Sequence, residues 1–459
     1  MQSLLNVKFS WHFFAITLVL IMLTFPTLDW FMYIGIAISL HQFMLLFESI
    51  GSIVPIRYLF GSFMCLQFFL GPTFAYCGLD DYQRGFLKMQ IPAVEYFSYA
   101  IPAVTMFILG LHYNSVLQGE VVDLKGTRQF VKVNKTIPYI FIGIGFVANF
   151  GEIFFSNTFT FIFVLLSNFK FVGLFLIILG RKKLDPLIIL IVFGSIVISS
   201  LRNAMFHDLI TWIIFLGAVL AIKYKPSKKI KLIVSSAFIT LALFIQLLKG
   251  EYRTATWEQG SEGNIETLSK SFQLTEEKSG GFSWENIAKS NVRINQGFII
   301  TNIMNTVPSR VPFENGKELL IILESAFLPR ILAPNKLNAG DRFIFMKYSG
   351  IPLAPGTSMG LSSVGDAYIN FGIFGGSIFM FFYGLFVNFI LKKLNEYSYF
   401  FPVLLLFTPL IFYYPIRPDC ELQTILGHIV KSCFLLFVIF QIWKVKFRRI
   451  LSISYPNNS

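Results

Sequence analysis

The sequence predicts an all-α, polytopic membrane protein, on three observations. Hydrophobic residues make up 55% of the 459-residue chain and charged residues only 14%, against about 25% charged in soluble globular chains. Mean hydropathy is correspondingly high, at +0.65. The apolar residues also gather into runs near the roughly 20 residues a helix needs to cross a hydrocarbon core. Finally, lysine and arginine concentrate between alternate pairs of these runs. Backbone polar groups in lipid must pair within their own segment, so the runs read as helices.

Twelve spans are expected, at residues 11–28, 30–47, 53–76, 96–111, 137–155, 158–180, 186–200, 206–222, 230–248, 366–391, 399–414 and 422–443. The first run exceeds a signal-peptide core and lacks a small-residue cleavage site, so it is expected to remain as a span. The chain thus divides into nine spans (1–248), one large extramembrane segment (249–361) and three last spans with a basic tail (362–459). No internal repeat is evident, which disfavours inverted-repeat transporter folds.

Basic residues in short loops mark the cytoplasmic side. With the N-terminus inside, that side holds 19 of them, at Lys8, Lys125, Arg128, Lys132, Lys135, Arg181, Lys182, Lys183, Lys223, Lys225, Lys228, Lys229, Lys231, Lys392, Lys393, Lys444, Lys446, Arg448 and Arg449. The short outside loops hold four, Arg84, Lys88, Arg202 and Arg417. The 113-residue segment is nearly neutral, with 12 basic and 11 acidic residues. The net charge of +13 therefore reports topology, and no nucleic-acid partner is expected. Four cysteines exclude a disulfide scaffold, and no Cys/His spacing suggests zinc. Cys77 and Cys420 both reach the outer side.

Within the large segment, residues 250–281 are polar and Gly/Ser-rich and read as a mobile loop. Residues 284–305 have helical spacing, with Ile287, Val292, Ile294, Phe298 and Ile299 apolar. A second helical run covers 318–328 and is stopped by Pro329. Neither run could bury its apolar face alone, so both are expected to lie on the membrane surface or cap the bundle.

Arginine dominates the candidate chemistry of the outer face: Arg202, Arg253, Arg293, Arg310, Arg330 and Arg342. A guanidinium stays charged and offers a fixed fork of donors suited to phosphate or pyrophosphate; pairing with the segment's own acids is the plainer reading of any one. Arg293 and Gln296 share a helix face. Pro329 and Pro334 stiffen the stretch carrying Arg330 and Lys336. Asp366 follows a glycine-rich stretch (Gly356 to Gly376) and heads the tenth span, where the helix dipole favours an acid; it also suits a polar anchor or base. Lys170 and Lys431 fall near mid-depth, where a charge faces a cavity or a partner. Arg57 sits near an inner end, from which it could snorkel. His207, close to Arg202 and Asp208, is the one histidine expected at the outer face. The general base stays open among Asp366, His207, Glu258 and Glu324, or none.

Pro329-Arg330, Pro334-Asn335-Lys336, Asp366, Tyr368 and Asn370-Phe371-Gly372, with Arg293 upstream, resemble the pattern of the Wzy-type polymerases, which join O-antigen or exopolysaccharide repeat units in bacteria. Glutamate is the more usual acid at the position of Asp366. The resemblance covers roughly residues 291–376 by pattern and the whole chain by topology. It implies a GT-C-like architecture in the bacterial inner membrane and metal-independent glycosyl transfer on the periplasmic face, without a cofactor. An undecaprenyl-pyrophosphate-linked repeat unit would attack the growing polysaccharide chain and displace its lipid pyrophosphate. A chain-length regulator and a flippase of the same pathway would be its partners. On this reading Arg293, Arg330 and Asp366 are catalytic. Arg202, Arg253, Arg310, Lys336, Tyr368 and Asn370 bind substrate. The alternatives are an O-antigen ligase, which typically relies on a histidine in the large segment, where this chain has none, a lipid-linked oligosaccharide flippase, and a non-catalytic accessory protein.

Overall fold

The computed structural model describes residues 9–114, 120–154, 160–279, 287–288, 291–292, 294–328 and 340–448, which hold helices and no strand. In chain order the helices are α1 (Trp11–Thr24), α2 (Trp30–Ser49), α3 (Ile56–Tyr76), α4 (Ala93–His112), α5 (Leu124–Val133), α6 (Ile137–Phe154), α7 (Phe161–Gly180), α8 (Pro186–Asn203) and α9 (His207–Tyr224). There follow α10 (Lys228–Arg253), α11 (Ile265–Ser279), α12 (Gly297–Thr306), α13 (Lys317–Phe327), α14 (Arg342–Ser349), α15 (Ser362–Ser398), α16 (Thr408–Phe412), α17 (Leu422–Ile442) and α18 (Lys444–Phe447).

Among the described residues nine helices are long and apolar enough to cross a membrane, and α6, bent 83° from α5, brings the number to ten. Two of the twelve expected spans differ. Helix α1 has 14 residues, about 21 Å at 1.5 Å per residue, short of a bilayer core of about 30 Å. The expected span 399–414 carries the chain back from the last turn of α15 to the start of α17 beside Asp366, but not as one helix: it is a 3-10 turn at Leu404–Phe407 followed by the five-residue α16. Pro402, Pro409 and Pro415 interrupt its hydrogen-bond ladder, and Phe407 packs against Phe141, Phe169 and Phe440. Its residues 402–413 are buried against neighbouring helices, so its apolarity fits the core of the bundle and does not require a regular helix.

The long helices run alternately between two ends. At one end, here the basic end, meet the connections that carry Lys125, Arg128, Arg181, Lys223, Lys228 and Lys444: Lys223 Nζ donates to the carbonyls of Ile178 and Arg181, and Lys228 pairs with Glu48 at 2.5 Å. The other end, the cap end, gathers α11 to α14. Helices α4 and α15 form the tightest crossing. A Cβ added at Gly110 would lie 2.2 Å from the Phe381 carbonyl, and one at Gly384 2.2 Å from the Phe107 carbonyl, the small-residue contact by which helices pack in lipid.

Of residues 250–281, expected as a loop, the described residues 250–279 are largely helical. Helix α10 runs on through a π-turn at Thr254–Glu258, and α11 follows. Asn264 caps α11 by accepting from Thr267 N at 2.9 Å, and Phe272 of α11 packs on Phe244 of α10. The apolar pair Leu268 and Phe272, one turn apart, is diluted by polar neighbours, so composition hides the helix. Helix α12 does not lie on a surface; it inserts into the bundle and is buried along nearly its whole length. The π-turn Leu66–Leu70 in α3 admits it: Gln296 N donates to the Gln67 carbonyl at 3.1 Å, and Asn291 Nδ2 to that of Gly71 at 3.0 Å.

Arg57 does not snorkel. It is buried at the basic end, 2.8 Å from Glu120 and 2.8 Å from Asn388 Oδ1, and ties α3, α15 and the segment after α4 together. The four cysteines are free thiols. Lys170 lies over the rings of Phe146 and Phe171, and Lys431 lies 4.0 Å over that of Phe161. Replacing Arg57 by Ala leaves Glu120 charged and buried without its partner, so unfolding in detergent is expected to become easier by about 3–5 kcal/mol. Gly110→Val should lower the melting temperature through backbone overlap, at about 1–3 kcal/mol or more.

Candidate functional site

The first turns of α15 build the cap end. Asp366 lies one turn into α15 and is almost fully buried, yet the helix start it serves is not its own. Its Oδ2 accepts from Leu422 N, the first residue of α17, at 2.8 Å. One turn on, the Asn370 Oδ1 accepts from Leu319 N in the first turn of α13 at 3.2 Å, and its Nδ2 returns a bond to the Asp366 carbonyl at 2.9 Å. Each helix start carries N–H groups without intrahelical partners, and here a third helix satisfies them. Between the two, the Tyr368 hydroxyl reaches the Val307 carbonyl at 3.4 Å, with its ring against Tyr99 and Phe313. Gly372, at φ 65°, then breaks the helix, in a backbone region where only glycine is unstrained.

Beside this turn lies a shallow cleft, partly open to solvent and lined by Glu318, Ile322, Asp341, Ile344, Leu361, Asp366, Glu421 and Gln423. Four carboxylates thus meet at one opening. Glu421 Oε1 accepts from Gly340 N at 2.5 Å and from Thr424 Oγ1 at 3.0 Å; burial pushes its pKa up from the ordinary carboxylate range. The Tyr348 hydroxyl bridges Glu314 at 2.7 Å and Glu318 at 3.2 Å. The Tyr348 hydroxyl, together with the Lys347 ammonium at 2.9 Å, holds Glu314 below its usual value. On its other side α13 turns Leu320 (68% exposed), Ile321 and Phe327 outward, and Phe343 of α14 joins them. Acids therefore face the cleft from one side of α13, and an apolar surface covers the other. Among the described residues no group of three or more His, Cys, Asp or Glu side chains could hold a metal ion.

A second polar cluster adjoins the cleft through residues 413–421. His207 Nε2 lies 2.7 Å from Asp208 Oδ1, and the Tyr413 hydroxyl donates to the same oxygen. The Arg417 guanidinium pairs with Asp419 at 3.1 Å and lies over the Tyr414 ring. Burial by itself would raise Asp419, but the Arg417 charge and hydrogen bond hold it low. Burial pushes the Cys420 thiol up to about 12.

The expected site residues separate. Asp366, Tyr368 and Asn370 come together, buried and bonded to main chain. Arg202 and Arg253 share the corner where α8, α9 and α10 meet: Arg202 is exposed near the end of α8, while Arg253 Nε donates to the Ala204 carbonyl at 3.1 Å and its guanidinium lies 4.4 Å over Trp257. Arg310 is exposed after α12, away from that corner in the chain. Arg342 lies over the Phe343 ring, and Glu258 and Glu324 are exposed. Arg293, Arg330 and Lys336 lie outside the described residues. Sequence reasoning counted Arg417 as a loop charge and passed over Glu318, Asp341, Tyr413, Asp419 and Glu421. The Arg-Pro-Asp-Cys-Glu run directly before the last span was the available signal.

Among the described residues nine apolar helices, or ten with the bent pair α5–α6, are long enough to cross a membrane, which marks a multi-pass membrane protein. The chain belongs to the family described as a domain of unknown function (DUF8712), whose model matches residues 52–452. No curated protein and no solved structure matches it.

Because Glu314 has a lowered pKa, its contribution to stability is present above the ordinary value of 4.5 and lost as pH falls through the lowered one. Tyr348→Phe removes the main cause. Melting in detergent at pH 6 and at pH 4 should show a smaller acid-induced loss in Tyr348→Phe than in the wild type.

Proposed function

We propose that the protein is a glycosyltransferase that polymerises undecaprenyl-pyrophosphate-linked repeat units at the periplasmic face of the bacterial inner membrane, the cap end being that face. The observation that carries the reading is the cleft at the cap end, with Glu318, Asp341, Asp366 and Glu421 on one side of α13 and the exposed apolar Leu320, Ile321 and Phe327 on the other. A lipid-linked glycan needs both surfaces, a wet wall for sugar hydroxyls and a dry one for an isoprenoid tail.

Charge divides the work. The cleft is acidic, so it suits hydroxyl groups and repels a diphosphate. Arg202 and Arg253, at the neighbouring corner, carry the charge a departing diphosphate requires, and the sequence pattern adds Arg293, Arg330 and Lys336. Gathering of basic loop residues at the opposite end supports the orientation, with both termini and that end in the cytoplasm. The GT-C-like architecture belongs to this proposal as well, with α1 and residues 399–414 completing the twelve crossings although neither is a full-length helix.

The deciding experiment is the glycan made by a strain lacking the gene. Single capped repeats support a polymerase. Lipid-linked long polymer would replace it with a ligase, and repeats retained facing the cytoplasm with a flippase. In complemented strains, Arg293→Ala and Arg330→Ala are each expected to abolish polymer at unchanged protein level; normal polymer length would remove that arginine from the site. Asp366→Asn retains an acceptor for Leu422 N and should keep the fold. Asp366→Ala should lose about 0.5–2 kcal/mol of helix-cap stability, read as a lower melting temperature in detergent.

A further inference from the structure

We infer that His207 is the proton acceptor of the transfer reaction, positioned by Asp208 and Tyr413; this rests on the function proposed above. His207 opens α9, and its Nε2 lies 2.7 Å from Asp208 Oδ1, the oxygen that also accepts from the Tyr413 hydroxyl. Tyr413 is itself fixed, its ring stacked on Trp212 at 5.5 Å and 19°, and Trp212 stacks in turn on Phe171 at 3.8 Å. The carboxylate is thus held by a rigid aromatic column and holds the imidazole with Nε2 as donor. That leaves Nδ1 to accept a proton. The side chains of His207 and Asp208 are 34% and 44% exposed, so the pair can be reached by substrate.

The surroundings suit a base. Asp208 lies where it can stabilise the imidazolium that forms on proton transfer. From the facing segment come Tyr413, Arg417, Asp419 and Cys420. Arg417 and Asp419 pair with each other at 3.1 Å, so their charges largely cancel at His207. From the corner come Arg202 near the end of α8 and Arg253 from α10, the latter bonded to the Ala204 carbonyl three residues before His207. His207 therefore stands between the arginine corner and the acidic cleft, where a sugar hydroxyl and a diphosphate would meet.

The rival bases are already engaged. Asp366 accepts from a helix N–H, Glu421 accepts from two donors, and Glu318 accepts from Tyr348. Each of these carboxylates is tied to a partner that builds the cap end, whereas the free ring nitrogen of His207 faces an accessible surface. In the step, the acceptor hydroxyl gives its proton to His207 Nδ1 and its oxygen electron pair forms the new bond to the anomeric carbon. The bond from that carbon to the donor diphosphate breaks, and its electron pair leaves on the diphosphate oxygen.

The test uses the full chain in nanodiscs and the single-repeat glycolipid isolated from the strain lacking the gene. The expected results are a wild-type kcat that falls on the acid side and a His207→Gln kcat lower by about 100-fold or more. KM should stay within about threefold, since the lost interaction belongs to the transition state, and the acid limb should vanish. Asp208→Asn should move the acid limb to lower pH, because the imidazolium loses its carboxylate, and this variant decides the matter if His207→Gln does not fold. A His207→Gln kcat within about threefold of wild type, or an acid limb unmoved in Asp208→Asn, overturns the role of His207 while leaving the polymerase reading intact. A wild-type protein that does not elongate the glycolipid overturns both.

Discussion

Two side chains one helical turn apart hold the cap end together. Asp366 and Asn370 each accept a backbone N–H from the first turn of another helix, α17 and α13 respectively. Buried helix starts cannot leave those groups unpaired, because little water reaches them. A single turn of α15 thereby fixes where two further helices begin, and with them both walls of the acidic cleft. The glycine break directly after it lets the same helix continue at a new angle. Below that break the exposed side chains of α15 are apolar, with Phe374, Ile378, Phe382 and Phe389 outward.

The two ends of the bundle solve the same problem differently. At the basic end one ion pair, Arg57 with Glu120, is buried with Asn388 and locks three segments. Such a pair contributes geometry more than net stability, since desolvation offsets much of its attraction. Around it Lys223 and Lys392 donate to backbone carbonyls, and Lys228 and Lys393 pair with Glu48 and Glu396. At the cap end the charges are spread along a cleft and partly open, an arrangement that stabilises little and leaves acids, a histidine and arginines within reach of a ligand.

Insertion of α12 links the site to the bundle. Its start is received by the carbonyls that the α3 π-turn leaves available, a recurrent use of π-turns at functional places. The cap is consequently an extension of the bundle rather than a lid resting on it, and the cleft inherits the rigidity of the spans. The stacked column of Phe171, Trp212 and Tyr413 does the same for the second cluster.

Hydropathy and loop charge by themselves determined the all-helical membrane class, most of the span limits, the helix at residues 317–327 and the gathering of basic residues at one end. These follow from local preference for lipid or water, which each short stretch expresses independently. The partner of Asp366, the Arg57–Glu120 pair, the Asp208–Tyr413 bond and the insertion of α12 were decided only in three dimensions. Each joins polar groups tens to hundreds of residues apart, and no periodicity records which buried donor meets which acceptor. For the same reason Glu318, Asp341 and Glu421 went unremarked in the chain while the arginines and Asp366 stood out. The irregular backbone at 399–414 was hidden because apolarity marks burial as well as a regular span, and the helix at 265–279 because a helix with two apolar anchors needs only one neighbour to pack against.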